Sequence, residues 1–254
     1  MILSKRCSKN IFMTIASEDE IYKIMSMGVD KADRAIITLI LSSGLSSTFI
    51  EKMTYGQLLD ACDYCFEYGE LKTIHNLVRK NPKDENIIPC FDVGKKSRPR
   101  MTCCSPESLQ LIIEYLRYRK NIGSDDKKEY VFLNRENNPI ANNDHISNMF
   151  RRARDKGNRY LLDESLKITS DDVRDRFKHL CKNHLQGRYR DEVLVLMGVN
   201  KQDSKADNKR FYEHVKENQN LLREHYCTVV NYLTLSHDCN IDGYRRNNYT
   251  INRL

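Results

Sequence analysis

Nowhere does this 254-residue chain carry the ~18 consecutive apolar residues that a membrane-crossing helix needs, so no membrane span is expected. A disulfide framework is also missing. The nine cysteines (Cys7, Cys62, Cys65, Cys90, Cys103, Cys104, Cys181, Cys227 and Cys239) form an odd, irregular set, and no charged-then-apolar-then-small leader precedes them. This usage fits a reducing, cytoplasmic setting. The pair "CDYC" (62–65) lacks a second ligand pair at zinc-site spacing and reads as two helix-borne thiols one turn apart, so neither metal nor cofactor is expected. Internal repeats and low-complexity blocks are absent too. What the chain does have is a 40% apolar fraction, enough for an ordinary core, and 42 lysines and arginines against 35 acids. The resulting charge of +7 points toward a polyanionic partner such as nucleic acid.

Along the chain, helical signals dominate. "SEDE" (17–20) has the pattern of a capping box and opens a helix to about Gly28. "DKADRAIITLILSS" (30–43) places Ala32, Ala35, Ile36, Leu39 and Ile40 on one stripe, with Gly44 as a C-terminal stop. A short helix and a longer one capped by Thr54 follow over 47–68, with Leu58, Leu59, Cys62 and Phe66 inward. "NIIPCFDV" and "RPRMTCC" flank the basic turn "GKKSRPR" as a small hairpin. Ser105, Pro106 and Glu107 open a helix to 120. After a brief extended "YVFLN" (130–134), helices are predicted over 142–157, 169–185, 190–198 and, as one amphipathic run headed by Tyr212, 208–235. The polar, basic end "IDGYRRNNYTINRL" reads as a flexible or partner-docked tail. The expected fold class is mainly α with a small antiparallel β-sheet.

Three residues together suggest phosphoryl transfer: Lys96 in the basic turn, Arg174 in "DDVRDRF" and Tyr212. A phenol of pKa about 10 attacks a phosphodiester only if cations stabilise the developing charge. Arginine does this with a planar fork that grips two phosphate oxygens, and a lysine on a hairpin can protonate the departing sugar oxygen. Each residue also has a plainer reading, as a solvated turn, a helix-surface ion pair of Arg174 with Asp171, and a packing aromatic respectively. Asp171, Asp172 and Asp175, interleaved with arginines, read as a salt-bridged face rather than a carboxylate metal site.

Over residues 17–235 the order of segments resembles the tyrosine recombinases, or phage-type integrases, particularly divergent integrases of archaea and their viruses. The segments that carry the resemblance are "DRAIITLILSSGLSSTFIEKMTYGQLLDA", "GKKSRPRMTCCSPESLQLIIEYLRYR", "ITSDDVRDRFKHLCKN", "VLVLMGV" and "KRFYEHVKENQNLLREHYCTVVNYLTL". They are similar, in order, to the family's first box, its lysine hairpin and following helix, its His-x-x-Arg box, its Leu-Gly-His box and its nucleophile segment. The resemblance implies a tyrosine recombinase catalytic-domain-like fold that cleaves and rejoins DNA, without metal, through a 3'-phosphotyrosyl intermediate. Carried across by position, Lys96 matches the hairpin lysine, Arg174 the second arginine and Tyr212 the nucleophile.

Three family positions are substituted. Ser46 stands where the first arginine belongs, Asp171 at the box-two histidine, and Val199 at the third-box histidine or tryptophan. Losing one such stabilising donor costs roughly a hundredfold in rate, and a carboxylate at 171 repels phosphate. Arg98, Arg100, Arg152, His179 and Lys52 are the cations that could stand in. Double-stranded DNA is the expected partner. Its phosphates would be contacted by Lys95, Arg98 and Arg100 in the turn, by Arg151, Arg152 and Arg154 in the basic helix, and by tail arginines 245 and 246. The expected division is an N-terminal extension (1–16), a catalytic domain (17–235) and a basic tail (236–254), in a cytoplasmic, DNA-associated protein that could assemble as an oligomer on DNA. Family members carry an N-terminal clamp domain before the catalytic region, so the chain is expected to be a fragment or a truncated relative. The alternative to an active recombinase is an inactive DNA-binding or regulatory module derived from an integrase.

Overall fold

The computed structural model describes residues 15–26, 29–66, 70–94, 99–119, 122–123, 127–134, 136–140, 144–160, 168–200 and 205–235, with side chains at 156–160 and 205–208 excepted. The expected tail, and most of the expected N-terminal extension, lie outside these residues.

Helix α1 (Glu18–Ser26) begins at the anticipated capping box: the Ser17 N–H donates to Glu20 Oε2 at 2.8 Å and the Glu20 N–H donates to Ser17 Oγ at 3.1 Å. Helix α2 (Lys31–Ser43) is the central element, capped by Asp30 and closed by Gly44. The sequence stripe predicts one buried face, yet every residue from Ala35 to Ser43 is buried, because α6 (Pro106–Tyr118) packs on one side and α8 (Ser170–His184) on the other. Each large aliphatic buried this way contributes about 1.5–3 kcal/mol, which accounts for the run "AIITLIL". Ser42, inside this packing, meets the Ser108 hydroxyl at 2.7 Å, so its polar atom is satisfied.

Helices α3 (Ser47–Glu51) and α4 (Tyr55–Asp63) follow, the second opened by a Thr54–Gln57 capping box. The extended stretch near 130 does not join a sheet. It pairs with the α3–α4 link instead, the Tyr55 N–H donating to Glu129 O at 2.7 Å and the Val131 N–H to Met53 O at 2.8 Å. Helix α5 (Ile74–Arg79) escaped the sequence reading: at six residues it is too short to show a period, although Thr73 caps it. The predicted hairpin is present as β1 (Cys90–Asp92) and β2 (Met101–Cys103), an antiparallel two-stranded sheet in register Cys90↔Cys103, Phe91↔Thr102, Asp92↔Met101.

Helix α7 (Asp144–Tyr160) precedes α8, whose cap is reciprocal between Thr169 and Asp172, and α9 (Arg190–Leu196) follows. The single helix expected over 208–235 is instead two. Helix α10 (Lys205–Glu217) ends at Asn218, whose backbone (φ −132°, ψ 77°) leaves the helical region, and α11 (Gln219–Cys227) restarts before a 3-10 turn (Val230–Tyr232). Tyr212 therefore lies well inside α10 and not at a helix head.

The buried side chains fall into two clusters. One is centred on α2, α4 and α6; the other gathers β1, β2, α8, α9 and α11 around Phe177, Met197 and Tyr226. Tyr226 ties them together, its hydroxyl donating to the Ser42 carbonyl of α2 at 2.6 Å.

Candidate functional site: an arginine pair and a tyrosine at the hairpin

The end of α2 is where the chain gathers positive charge. Gly44 closes that helix in the left-handed region (φ +61°), its N–H returning to Ile40 O at 2.9 Å. Its carbonyl oxygen is left without an intrahelical partner at the negative end of the helix dipole. Two guanidinium groups converge on it: Arg174 of α8 donates from Nε at 2.9 Å, and Arg100, at the start of β2, donates from Nη2 at 3.1 Å. Arg100 also donates from Nε to Met197 O at 3.2 Å, at the C-cap of α9, so two helix C-termini hold one side chain.

Among the described residues neither guanidinium is paired with a carboxylate. Burial, and after it the charge of Arg174, push the Arg100 pKa down to about 10, which leaves it fully cationic at neutral pH. Two half-buried like charges are being held together by carbonyl dipoles alone. Such a pair, with most of each fork unspent on protein acceptors, is chemically suited to an anion with several oxygens, a phosphate above all.

Local backbone makes this possible at two glycines. A Cβ at Gly44 would stand 2.3 Å from the Phe177 ring, and one at Gly198 (φ +70°) would stand 2.7 Å from Arg100 Nε. Both positions need a positive φ and the space of a missing side chain.

Tyr212 meets the hairpin from the α10 side. Its hydroxyl donates to Asp92 Oδ2 at 2.6 Å, and Lys216, one turn on, approaches the same oxygen at 3.7 Å and sits 5.7 Å from the Tyr212 ring centroid. Partial burial first, then the hydrogen bond and negative charge of Asp92, push the phenol pKa up to about 12. The strands' alternation explains why Tyr212 and the arginines sit apart. Thr102 and Arg100 face the end of α2, with Thr102 donating to Ser43 O at 2.6 Å, and Phe91 on the same face meets Phe49 edge-on, whereas Cys90, Met101 and Cys103 face the second cluster, against which Tyr212 packs. The tyrosine and the arginine pair thus flank the same two strands, with the phenol bonded to Asp92 and, among the described residues, no hydrogen bond joining it to either guanidinium.

The other sequence candidates distribute as follows. Lys96, with Lys95 and Arg98, lies outside the described residues. Ser46 serves as the N-cap of α3, accepting from the Phe49 N–H at 3.3 Å, which is a structural use for that side chain. Asp171 is exposed in the first turn of α8, and the ion pair it was expected to make with Arg174 is replaced by Arg174's bond to Gly44. Asp172 is spent on the Thr169 cap and Asp175 on Lys178. Val199 is buried in the second cluster.

Of the four stand-in cations among the described residues, Arg100 is the one brought to Arg174. Lys52, Arg151 and Arg152 are exposed, Arg154 is half-buried on α7, and His179 bonds Asn183 at 2.9 Å. Asp92 was missed by the sequence reading, since a carboxylate inside "CFDV" carries no signal of the tyrosine it meets 120 residues later.

No protein-family model matches the chain, and no curated protein matches it. Among solved structures, a crystal structure of XerA recombinase is similar, with a TM-score of 0.46 and 17% identity over 84% of this chain and 62% of that one. The chain thus spans less than two thirds of the length of that recombinase chain. Among the described residues, no helix is long and apolar enough to cross a membrane, and no group of three or more His, Cys, Asp or Glu could hold a metal ion.

Proposed function

We propose that the chain is the catalytic domain of a DNA strand transferase of the tyrosine recombinase type. The observation that carries this reading is the convergence of Arg100 and Arg174 on the Gly44 carbonyl with no carboxylate to neutralise them. In this reading the pair binds the non-bridging oxygens of one backbone phosphate, and Arg100 supplies the charge that Ser46 does not. Tyr212, which has to be brought across the hairpin to reach that phosphate, attacks phosphorus through its Oη, the bond to the 5' oxygen breaks, and a 3'-phosphotyrosyl linkage forms. The phenol proton passes to Asp92, its hydrogen-bond partner, while Lys96 gives a proton to the departing 5' oxygen. The reverse attack by a 5'-hydroxyl rejoins the strand. Lys95, Arg98, Arg151, Arg152 and Arg154 hold the duplex through its phosphates.

The test is incubation with a nicked suicide duplex, from which the cleaved 5' end diffuses away, followed by denaturing electrophoresis. A protein–DNA adduct that disappears in Tyr212→Phe is the expected result. A second reading, an inactive DNA-binding module, is favoured by the phenol's bond to Asp92 and its raised pKa, which hold it in its unreactive, protonated form. It expects salt-dependent duplex binding, unchanged by Tyr212→Phe, with no adduct.

A further inference from the structure

Beneath the outer end of the hairpin lies chemistry that DNA cleavage does not use. Cys90 and Cys103 are cross-strand partners, both buried, and their sulfurs are 2.9 Å apart. The ladder bonds Val93 N–H to Arg100 O and Cys104 N–H to Pro89 O place hydrogen-bonded rungs at 93/100 and 89/104. The 90/103 pair therefore falls on a non-hydrogen-bonded rung, where facing Cα atoms approach to about 4.5 Å, within the span that a disulfide bridges. A bonded pair sits at about 2.05 Å, so closure asks for less than an ångström of movement.

A cation overlooks this pair. Arg223 of α11 is anchored by donation to Ile88 O at 3.2 Å, Tyr64 O at 3.1 Å and Cys65 Sγ at 2.6 Å, and among the described residues no carboxylate pairs with it. Burial opposes ionisation of Cys90, yet the Cys103 thiol and the Arg223 charge outweigh it and hold its pKa below the ordinary thiol value. Cys103 is pushed the other way, by burial and by its hydrogen bond with Cys90. The Arg223 charge favours the thiolate at Cys90, and Cys103, 2.9 Å away, is the sulfur placed to resolve it.

We infer that Cys90 and Cys103 form a dithiol modification site that reacts with a small peroxide and closes into a disulfide across the root of the hairpin. A small oxidant is specified because both sulfurs are enclosed, which favours hydrogen peroxide over a bulky disulfide. The Cys90 thiolate attacks one peroxide oxygen, the O–O bond breaks, and hydroxide leaves to be protonated to water, giving a sulfenic acid. The Cys103 sulfur, its proton released, then attacks the Cys90 sulfur and displaces the hydroxyl as a second water. In sum, two thiols lose two electrons and two protons, and one peroxide becomes two waters. The bond would clamp the strands that carry Asp92 and Arg100, and it forms whether or not Tyr212 cleaves DNA.

The full chain is treated with hydrogen peroxide, quenched, denatured, alkylated with N-ethylmaleimide and digested with trypsin, which cuts between the two cysteines at Lys95, Lys96 and Arg100. The expected product is a pair of peptides joined through Cys90 and Cys103, unalkylated at both, that separate on treatment with dithiothreitol. In Cys103→Ser the resolving thiol is gone, and dimedone is expected to label Cys90. Full alkylation of both cysteines after peroxide, or linkage of Cys90 to Cys65 or Cys104 instead, overturns the assignment.

Discussion

The Tyr212 hydroxyl donates to Asp92 at 2.6 Å, so a side chain on the hairpin sets the ionisation of a side chain on α10. Burial alone holds the phenol above its ordinary value, and Asp92 raises it further by accepting its proton's hydrogen bond and by placing a negative charge beside the incipient phenolate. In Asp92→Asn the charge disappears while the burial remains. The Tyr212 pKa is expected to fall from about 12 toward 10 without reaching it. Alkaline absorbance titration of the variant, with the same titration of Asp92→Asn/Tyr212→Phe subtracted, isolates this one phenol from the chain's other tyrosines. An unshifted titration would show that Asp92 does not govern it.

The arginine pair yields a prediction about fork geometry rather than charge. Arg100→Lys keeps a positive charge but replaces the rigid fork, which reaches Met197 and Gly44 from two separate nitrogens and can grip two phosphate oxygens side by side, with a single ammonium nitrogen. Adduct formation is expected to drop roughly a hundredfold, with a similar loss in Arg174→Lys. If the effects belong to one clamp, the double variant loses less than the product of the two singles. Rates from the suicide-duplex assay, on variants whose far-ultraviolet circular dichroism matches the parent, decide it. Losses in duplex affinity of equal size would move the arginines from chemistry to binding.

Much of the fold was legible because its determinants are local. The Ser17–Glu20 box, Gly44 at the end of α2, Thr54, and the Ser105–Pro106 start of α6 are signals written in a few adjacent residues, and each sits where the pattern put it. The misses share a different cause. The break at Asn218 interrupts an apolar pattern that continues through it, since both helices bury their apolar faces in the same cluster, so periodicity could not separate α10 from α11. The candidate site was legible in part: Arg174, which the structure joins to Arg100, and Tyr212 stood out by type and setting. What joins Arg100 to Arg174 is a carbonyl oxygen at the end of a helix 56 residues before Arg100, and a backbone acceptor has no residue type by which a sequence could announce it.

Gly44 should be among the least replaceable residues. In Gly44→Ala the new Cβ meets the Phe177 ring at 2.3 Å on a backbone at φ +61°. The left-handed conformation costs about 1–2 kcal/mol and the overpacking about 1–3 kcal/mol more, so a loss of roughly 2–5 kcal/mol is expected in urea unfolding. Phe177→Leu in the same background removes ring atoms from the clash and should recover part of the loss. No recovery would assign the cost to the backbone alone.

Glu51 supplies a pH dependence whose sign follows from its burial. It closes α3, is 1% exposed, and receives one hydrogen bond, from the Ile146 N–H to Oε1 at 3.3 Å, while Oε2 has no partner among the described residues. Burial is the largest influence on it, outweighing that hydrogen bond, with the Asp144 charge adding to the rise and Lys52 opposing it; the carboxyl pKa stands above 4.5. A raised native pKa means that the folded chain holds this proton more tightly than the unfolded one. Its contribution to stability is therefore fully present below 4.5 and is lost as pH climbs through the native value. In Glu51→Gln that dependence is absent, because the amide does not titrate and its oxygen still accepts from Ile146. The parent's urea midpoint should decline relative to the variant's as pH rises from 4.5 toward neutrality, and then run parallel to it. A constant gap between the two curves over that interval would mean that Glu51 ionises in the folded protein as readily as in water, and that its buried oxygen finds a cation beyond Lys52.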